Sequence, residues 1–176
     1  FAADEFGASK SAQGATLELN DWHYNITSAS LGGLSASPGR IVVDGGTTGD
    51  AAYLKGFLAA LGNQVEAWFI THAHDDHFGA LTQLAGDKDA PRIKPIYGSL
   101  PTLEWVVATG YGAQDVKPYE QFLEALRKAN QPILDLSPGQ EMVIDGVRFE
   151  VLGVRNLEIT NNASNNSRLV LRVSDQ

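Results

Sequence analysis

The chain contains no cysteine and a single methionine. Without thiols there is no disulfide, no thiolate metal site and no cysteine nucleophile, so any bound metal must rest on imidazole and carboxylate. Cations are also scarce. Thirteen Lys and Arg face 21 Asp and Glu, giving a formal charge of -8, and such a surface does not support nucleic acid as a partner. Long apolar runs are missing as well. The best, around Val65 to Ile70, is interrupted by Glu66 and falls far short of the ~20 residues of a membrane-spanning helix, so no span is expected.

What is present is an ordinary globular composition, 43% apolar and 9% aromatic over 176 residues, enough for one cored domain covering 1–176. Phe1-Ala2-Ala3 is not an initiator sequence. It fits either a removed export signal, which makes a secreted or periplasmic protein the preferred expectation, or a boundary set within a longer chain.

Hydropathy alternation from Thr16 to Ile26 predicts an opening strand or hairpin, and Pro38-Gly39 marks a turn before the buried strand Ile41-Val42-Val43. Thr47 to Asp50 offers capping oxygens for a helix whose Tyr53, Leu54, Phe57, Leu58 and Leu61 share one face, closed by Gly62-Asn63. Val65 to Ile70 reads as one central strand, followed by a short helix over 78–84 and a strand over 93–97 that contains Pro95. Two helices are expected at 101–109 and 117–130, then a strand at 133–136. A hairpin turning at Asp145-Gly146, a polar loop over 156–167 and a last strand over 168–173 complete the chain. This order indicates a mixed α/β (α+β) protein with helices covering sheets.

Only four histidines occur, and three lie in Thr71-His72-Ala73-His74-Asp75-Asp76-His77, directly after an apolar strand. In extended backbone His72 and His74 point to the same side, and Asp76 follows in phase. His77 reaches the same pocket if the chain turns there into a helix, so two adjacent metal positions are reasonable. Three imidazoles and a carboxylate suit zinc better than magnesium or calcium, with iron and manganese still open. Asp44 ends the neighbouring strand before two glycines. It is either a carboxylate that orients the motif or a turn residue. His23 reads as a packed or exposed histidine without chemistry.

His72-Ala73-His74-Asp75-Asp76-His77 resembles the H-x-H-x-D-H signature of the metallo-β-lactamase superfamily, and Ile41 to Gly46 resembles its preceding strand and Asp-Gly turn. The resemblance implies a four-layer αββα sandwich with metals at the edge between two sheets. It also implies a zinc-dependent hydrolase with two ions: His72 and His74 on one, Asp76 and His77 on the other, and Asp76 also orienting the attacking water. His74 favours the hydrolytic over the di-iron redox branch. Gly139 to Leu152, Asn165-Asn166-Ser167 and Leu169 to Arg172 are similar to the metallohydrolase domain of competence-type DNA-internalisation proteins, which implies a phosphodiester or related phosphate ester as the small-molecule substrate class. Two departures stand out: Arg168 shifts the register before Leu169-Val170-Leu171, and no histidine follows His77. The expectation is therefore the N-terminal part of such a sandwich, poorly active alone and partnered by the missing C-terminal part. The alternative is a non-catalytic metal-binding or interaction module.

Overall fold

The computed structural model describes residues 9–11, 14–19, 22–28, 40–109 and 113–175, with side chains over 40–109 and 116–174. A short strand β1 (Ser9–Ser11), which no periodicity pointed to, pairs antiparallel with β2 (Gly14–Leu19), and β2 forms the expected hairpin with β3 (Trp22–Ser28). β3 is antiparallel to β4 (Arg40–Val43), whose β-branched residues suit a pleated, buried strand. A 3₁₀ turn, Thr48–Asp50, leads into α1 (Ala51–Ala60). The Asp50 carboxylate accepts from Thr47 N and Thr47 Oγ1 at 2.9 and 2.8 Å and so anchors the turn. Of the face expected on this helix, Leu54 and Leu58 are buried, but Tyr53 is 58% exposed; Ala51 takes the inward position instead.

The single strand expected over 65–70 is broken at Glu66. β5 (Gln64–Val65) and β6 (Ala67–Ile70) belong to different sheets, because Glu66 N donates to Arg40 O at 2.7 Å and kinks the chain between them. The same break recurs downstream of α2 (Asp75–Leu84). There Pro95, unable to donate to a ladder, separates β7 (Arg92–Ile93) from β8 (Ile96–Gly98). Helices α3 (Leu103–Ala108) and α4 (Ala113–Lys128) follow, then β9 (Ile133–Asp135). The Thr102 hydroxyl caps α3 by accepting from Trp105 N at 3.2 Å. The hairpin of β10 (Glu141–Ile144) and β11 (Val147–Gly153) turns at Asp145 (φ 50°) and Gly146 (φ 82°), the paired positive φ of a tight primed turn. The polar loop over 156–167 contains a turn of helix, α5 (Ala163–Asn166), before β12 (Val170–Asp175).

The large sheet has the order β1-β2-β3-β4-β6-β8-β9, with β4, β6, β8 and β9 parallel; β10-β11-β12 form a second, antiparallel sheet. Alternation along β4 and β6 sorts the core. Val42, Trp68 and Ile70 face the helices, packing with Leu54, Leu58, Phe78, Leu81, Tyr119 and Phe122. Ile41, Ala67 and Phe69 face the second sheet, against Val147, Phe149, Val151 and Leu169. Phe69 stacks between Tyr97 and Phe149, with centroids 5.2 and 4.9 Å away. The described residues thus form three layers, helix, sheet and sheet, of the four-layer sandwich expected.

Candidate metal centre

Parallel strands place their carboxyl ends along one edge, and β4 and β6 end there in Asp44 and Thr71. Asp44 has φ 57° and is followed by Gly45-Gly46, so the chain turns sharply and the carboxylate points back across the sheet edge. One oxygen, Oδ1, accepts from Thr71 N at 2.8 Å. The other, Oδ2, accepts from Thr71 Oγ1 at 2.8 Å and from His77 Nδ1 at 2.7 Å. Residues 71–74 are irregular, and α2 then begins at Asp75, so Asp76 and His77 occupy its first turn. Carboxylates are favoured at that end of a helix.

The hydrogen bonds fix the state of His72. The Thr71 hydroxyl gives its single proton to Asp44 and must therefore accept from His72 Nδ1, 2.9 Å away. This leaves Nε2 of His72 bare. Burial, reinforced by His77, His74 and Arg168, lowers the His72 pKa to about 3, so the ring is neutral at pH 7. Nε2 faces Nδ1 of His74 at 3.1 Å. In a tetrahedral site with Zn–N near 2.0–2.1 Å, two donor nitrogens lie about 3.3 Å apart, so this pair already spans one edge of such a site.

His77 behaves differently. Burial alone would lower its pKa, but the hydrogen bond and charge of Asp44, with the charge of Asp76, outweigh it and the net shift is upward. With Nδ1 committed to Asp44, the other ring nitrogen, Nε2, stands 3.7 Å from Asp76 Oδ1. The ring centroids of His72 and His77 are 3.9 Å apart, so the two donor pairs adjoin. The His72–His74 separation is close to the edge of a tetrahedral zinc site and the His77–Asp76 separation is wider, and among the described residues no three His, Asp or Glu side chains converge on one position.

The structure therefore brings together all five residues singled out in the sequence: His72, His74, Asp76, His77 and Asp44. His23 lies in β3, and its side chain is outside the described ones. Two features were not foreseen. Thr71 is the hub through which Asp44 orients His72, and its only signal was its place between strand and motif. Beside the centre, Arg155 donates through both guanidinium nitrogens to Asp135, at 2.6 and 2.9 Å, and through Nη1 to Ser99 at 3.0 Å. That pair buttresses the ends of β8 and β9 and was not legible from spacing.

The family model of the metallo-beta-lactamase superfamily matches residues 38–157. The chain belongs to the metallo-beta-lactamase superfamily. Among solved structures it is similar to MEM-A1, a subclass B3 metallo-beta-lactamase isolated from a soil metagenome library: 12% identity, TM-score 0.57, covering 94% of this chain and 57% of that one. A beta-lactamase domain protein from Burkholderia ambifaria matches at 15% identity and TM-score 0.56 over 96% of this chain and 52% of its own. A Cronobacter sakazakii metallo-beta-lactamase with a HARLDQ motif, mutant S60, matches at 15% and 0.51 over 86% and 51%. At these identities the likeness shows the fold. The chain spans about half the length of these superfamily members. No curated protein matches it, and nothing in the comparisons singles out competence-type proteins.

One expected outcome follows from the Asp44 geometry. In Asp44→Asn either amide orientation sets an NH₂ against a donor, Thr71 or His77, so both imidazoles lose their orientation. Zinc affinity should fall about 10- to 100-fold with the fold retained. Competition with a chromophoric chelator measures this, and unchanged affinity would contradict the role.

Proposed function

We propose that this chain carries half of a two-zinc hydrolytic centre, in which His72 and His74 hold one ion and Asp76 and His77 the other. The observation that carries the reading is the close approach of two neighbouring pairs of metal-ligating atoms, His72 Nε2 with His74 Nδ1 at 3.1 Å and His77 Nε2 with Asp76 Oδ1 at 3.7 Å, beside a half-buried Asp44 carboxylate that holds Thr71 and His77. When bound, zinc acts as a Lewis acid and lowers the pKa of coordinated water to about 7. Asp76 is the group placed to accept a hydrogen bond from the attacking water and hold its lone pair toward the substrate. His72 supports the centre only while neutral, a state that burial and the Thr71 bond enforce. The hydrogen bond and charge of Asp44 favour the charged form of His77, so a proton competes with the metal for its Nε2.

Phosphodiesters or related phosphate esters are the preferred substrate class, on the resemblance of Gly139 to Leu152 and Asn165 to Arg172 to competence-type metallohydrolase domains. The acidic composition favours a small substrate over a long nucleic acid. The remaining half of the sandwich is the proposed partner. Val143, Leu152 and Val170 alternate away from the inter-sheet core and stand half exposed on the outer face of the second sheet, where a further layer would cover them.

The test is hydrolysis of bis(p-nitrophenyl) phosphate by the complete protein, stripped with chelator and reloaded with zinc, iron or manganese. Activity should vanish on chelation and return best with zinc. Activity indifferent to chelation would refute the metal reading; activity on neutral esters alone would refute the substrate class.

A further inference from the structure

Beside His72 and Ala73, a cavity with space for about one water molecule is closed by the segment 155–167. Three serine hydroxyls line it, and two are accounted for. Ser99 accepts from Arg155 N and Nη1 at 3.3 and 3.0 Å. Ser167 bonds Asn156 twice, accepting from its N–H and donating to its carbonyl at 2.8 Å. The third, Ser164 Oγ, is fully buried on a residue only 5% exposed and has no hydrogen-bond partner. A buried hydroxyl without a partner is unfavourable and marks a place where something polar binds.

The position is held firmly. Ser167 ties the end of the segment to its start at Asn156, Trp105 Nε1 donates to Leu157 O at 3.4 Å, and Leu169 N donates to Thr71 O at 2.9 Å. The last bond ties the chain two residues beyond the segment to the residue that orients His72. Ser164 is thus presented to the cavity wall formed by His72, whose Nε2 with His74 Nδ1 makes only one edge of a coordination shell.

We infer that the Ser164 hydroxyl faces the metal position of His72 and His74 and hydrogen-bonds the solvent molecule filling a donor place that no described imidazole occupies. The inference rests on the two-zinc reading above and adds a residue from the far end of the chain to the centre. Ser164 acts through solvent and is a positioning residue. It also accounts for how a segment without histidine meets a histidine pair.

Ser164→Ala should lower zinc affinity about two- to tenfold, the loss of one hydrogen bond. With cobalt in place of zinc, the visible spectrum of Ser164→Ala should differ from that of the parent, because the solvent donor has lost its partner. Thermal melting in parallel reports whether the variant folds. A folded alanine variant with unchanged affinity and an unchanged cobalt spectrum overturns the inference while leaving the metal reading intact. Failure of the parent to bind zinc or cobalt overturns the metal reading and the inference with it.

Discussion

Replacing His72 with alanine or Asp76 with asparagine is expected to lower metal-dependent hydrolysis by the complete protein about a thousandfold or more. His72 supplies an imidazole nitrogen, Nε2, that the Thr71 bond to Nδ1 leaves without a proton, so its loss removes a corner of the donor pair with His74. Asp76→Asn keeps size and shape but removes the charge that faces His77 Nε2 and weakens the acceptor that orients water. Neither residue belongs to either apolar cluster, so both variants should keep the parental melting temperature to within a few degrees. Measuring kcat/KM beside thermal melting separates the outcomes. A folded variant retaining activity within about tenfold of the parent would refute the assigned role.

Why these residues were readable before the structure is a matter of locality. His72, His74, Asp76 and His77 lie within six positions, and a strand entering a helix N-terminus dictates their geometry almost alone. Asp44 was legible only as one of two alternatives, because its partners, Thr71 and His77, are 27 and 33 residues away. Ser164 was beyond reach: its significance lies in a missing hydrogen bond and in a loop closure by Ser167 and Asn156 that composition does not encode.

The same distinction governs the fold. Ile41-Val42-Val43, the Asp145-Gly146 hairpin and the amphipathic α4 declared themselves through periodicity and turn chemistry. The breaks at Glu66 and Lys94-Pro95 did not, since a single polar residue or proline within a short run does not by itself show a change of partner strand. There the backbone of Glu66 bonds Arg40 and that of Lys94 bonds Val65, a decision made by tertiary pairing. Tyr53 was misplaced for a related reason. The helix rotates to bury Ala51 and Leu54, and the small residue allows the close approach that a tyrosine would prevent.

Gly79→Ala is the substitution expected to damage the molecule most through a single methyl group. By helix propensity alone, alanine within α2 should stabilise by about 1 kcal/mol. A Cβ at Gly79, however, would stand 2.6 Å from Thr48 N, 2.7 Å from Thr47 C and 2.9 Å from Thr47 Cα, all backbone atoms of an anchored turn. Nothing there yields cheaply, because Asp50 holds Thr47 through both its amide and its hydroxyl. Overpacking of this kind costs about 3 kcal/mol, which in a domain of this size lowers the melting temperature by about 6 to 12 °C. The consequence reaches the site, since Ala80 N bonds Gly46 O at 3.0 Å and Gly45 N bonds His77 O at 2.8 Å, clamping α2 to the turn that carries Asp44. If the helix is pushed off Thr47–Thr48, His77 leaves Asp44 and zinc affinity falls together with stability. Gly56→Ala in α1 is the matched control: its Cβ meets nothing within 4 Å, so propensity should win and stability rise by about 0.5 to 1 kcal/mol. Opposite signs for the two glycines in thermal melts, with zinc affinity lost only at position 79, are the expected result. A Gly79→Ala protein as stable as the parent would show that the contact between α2 and the Thr47–Thr48 backbone does not hold the metal motif in place.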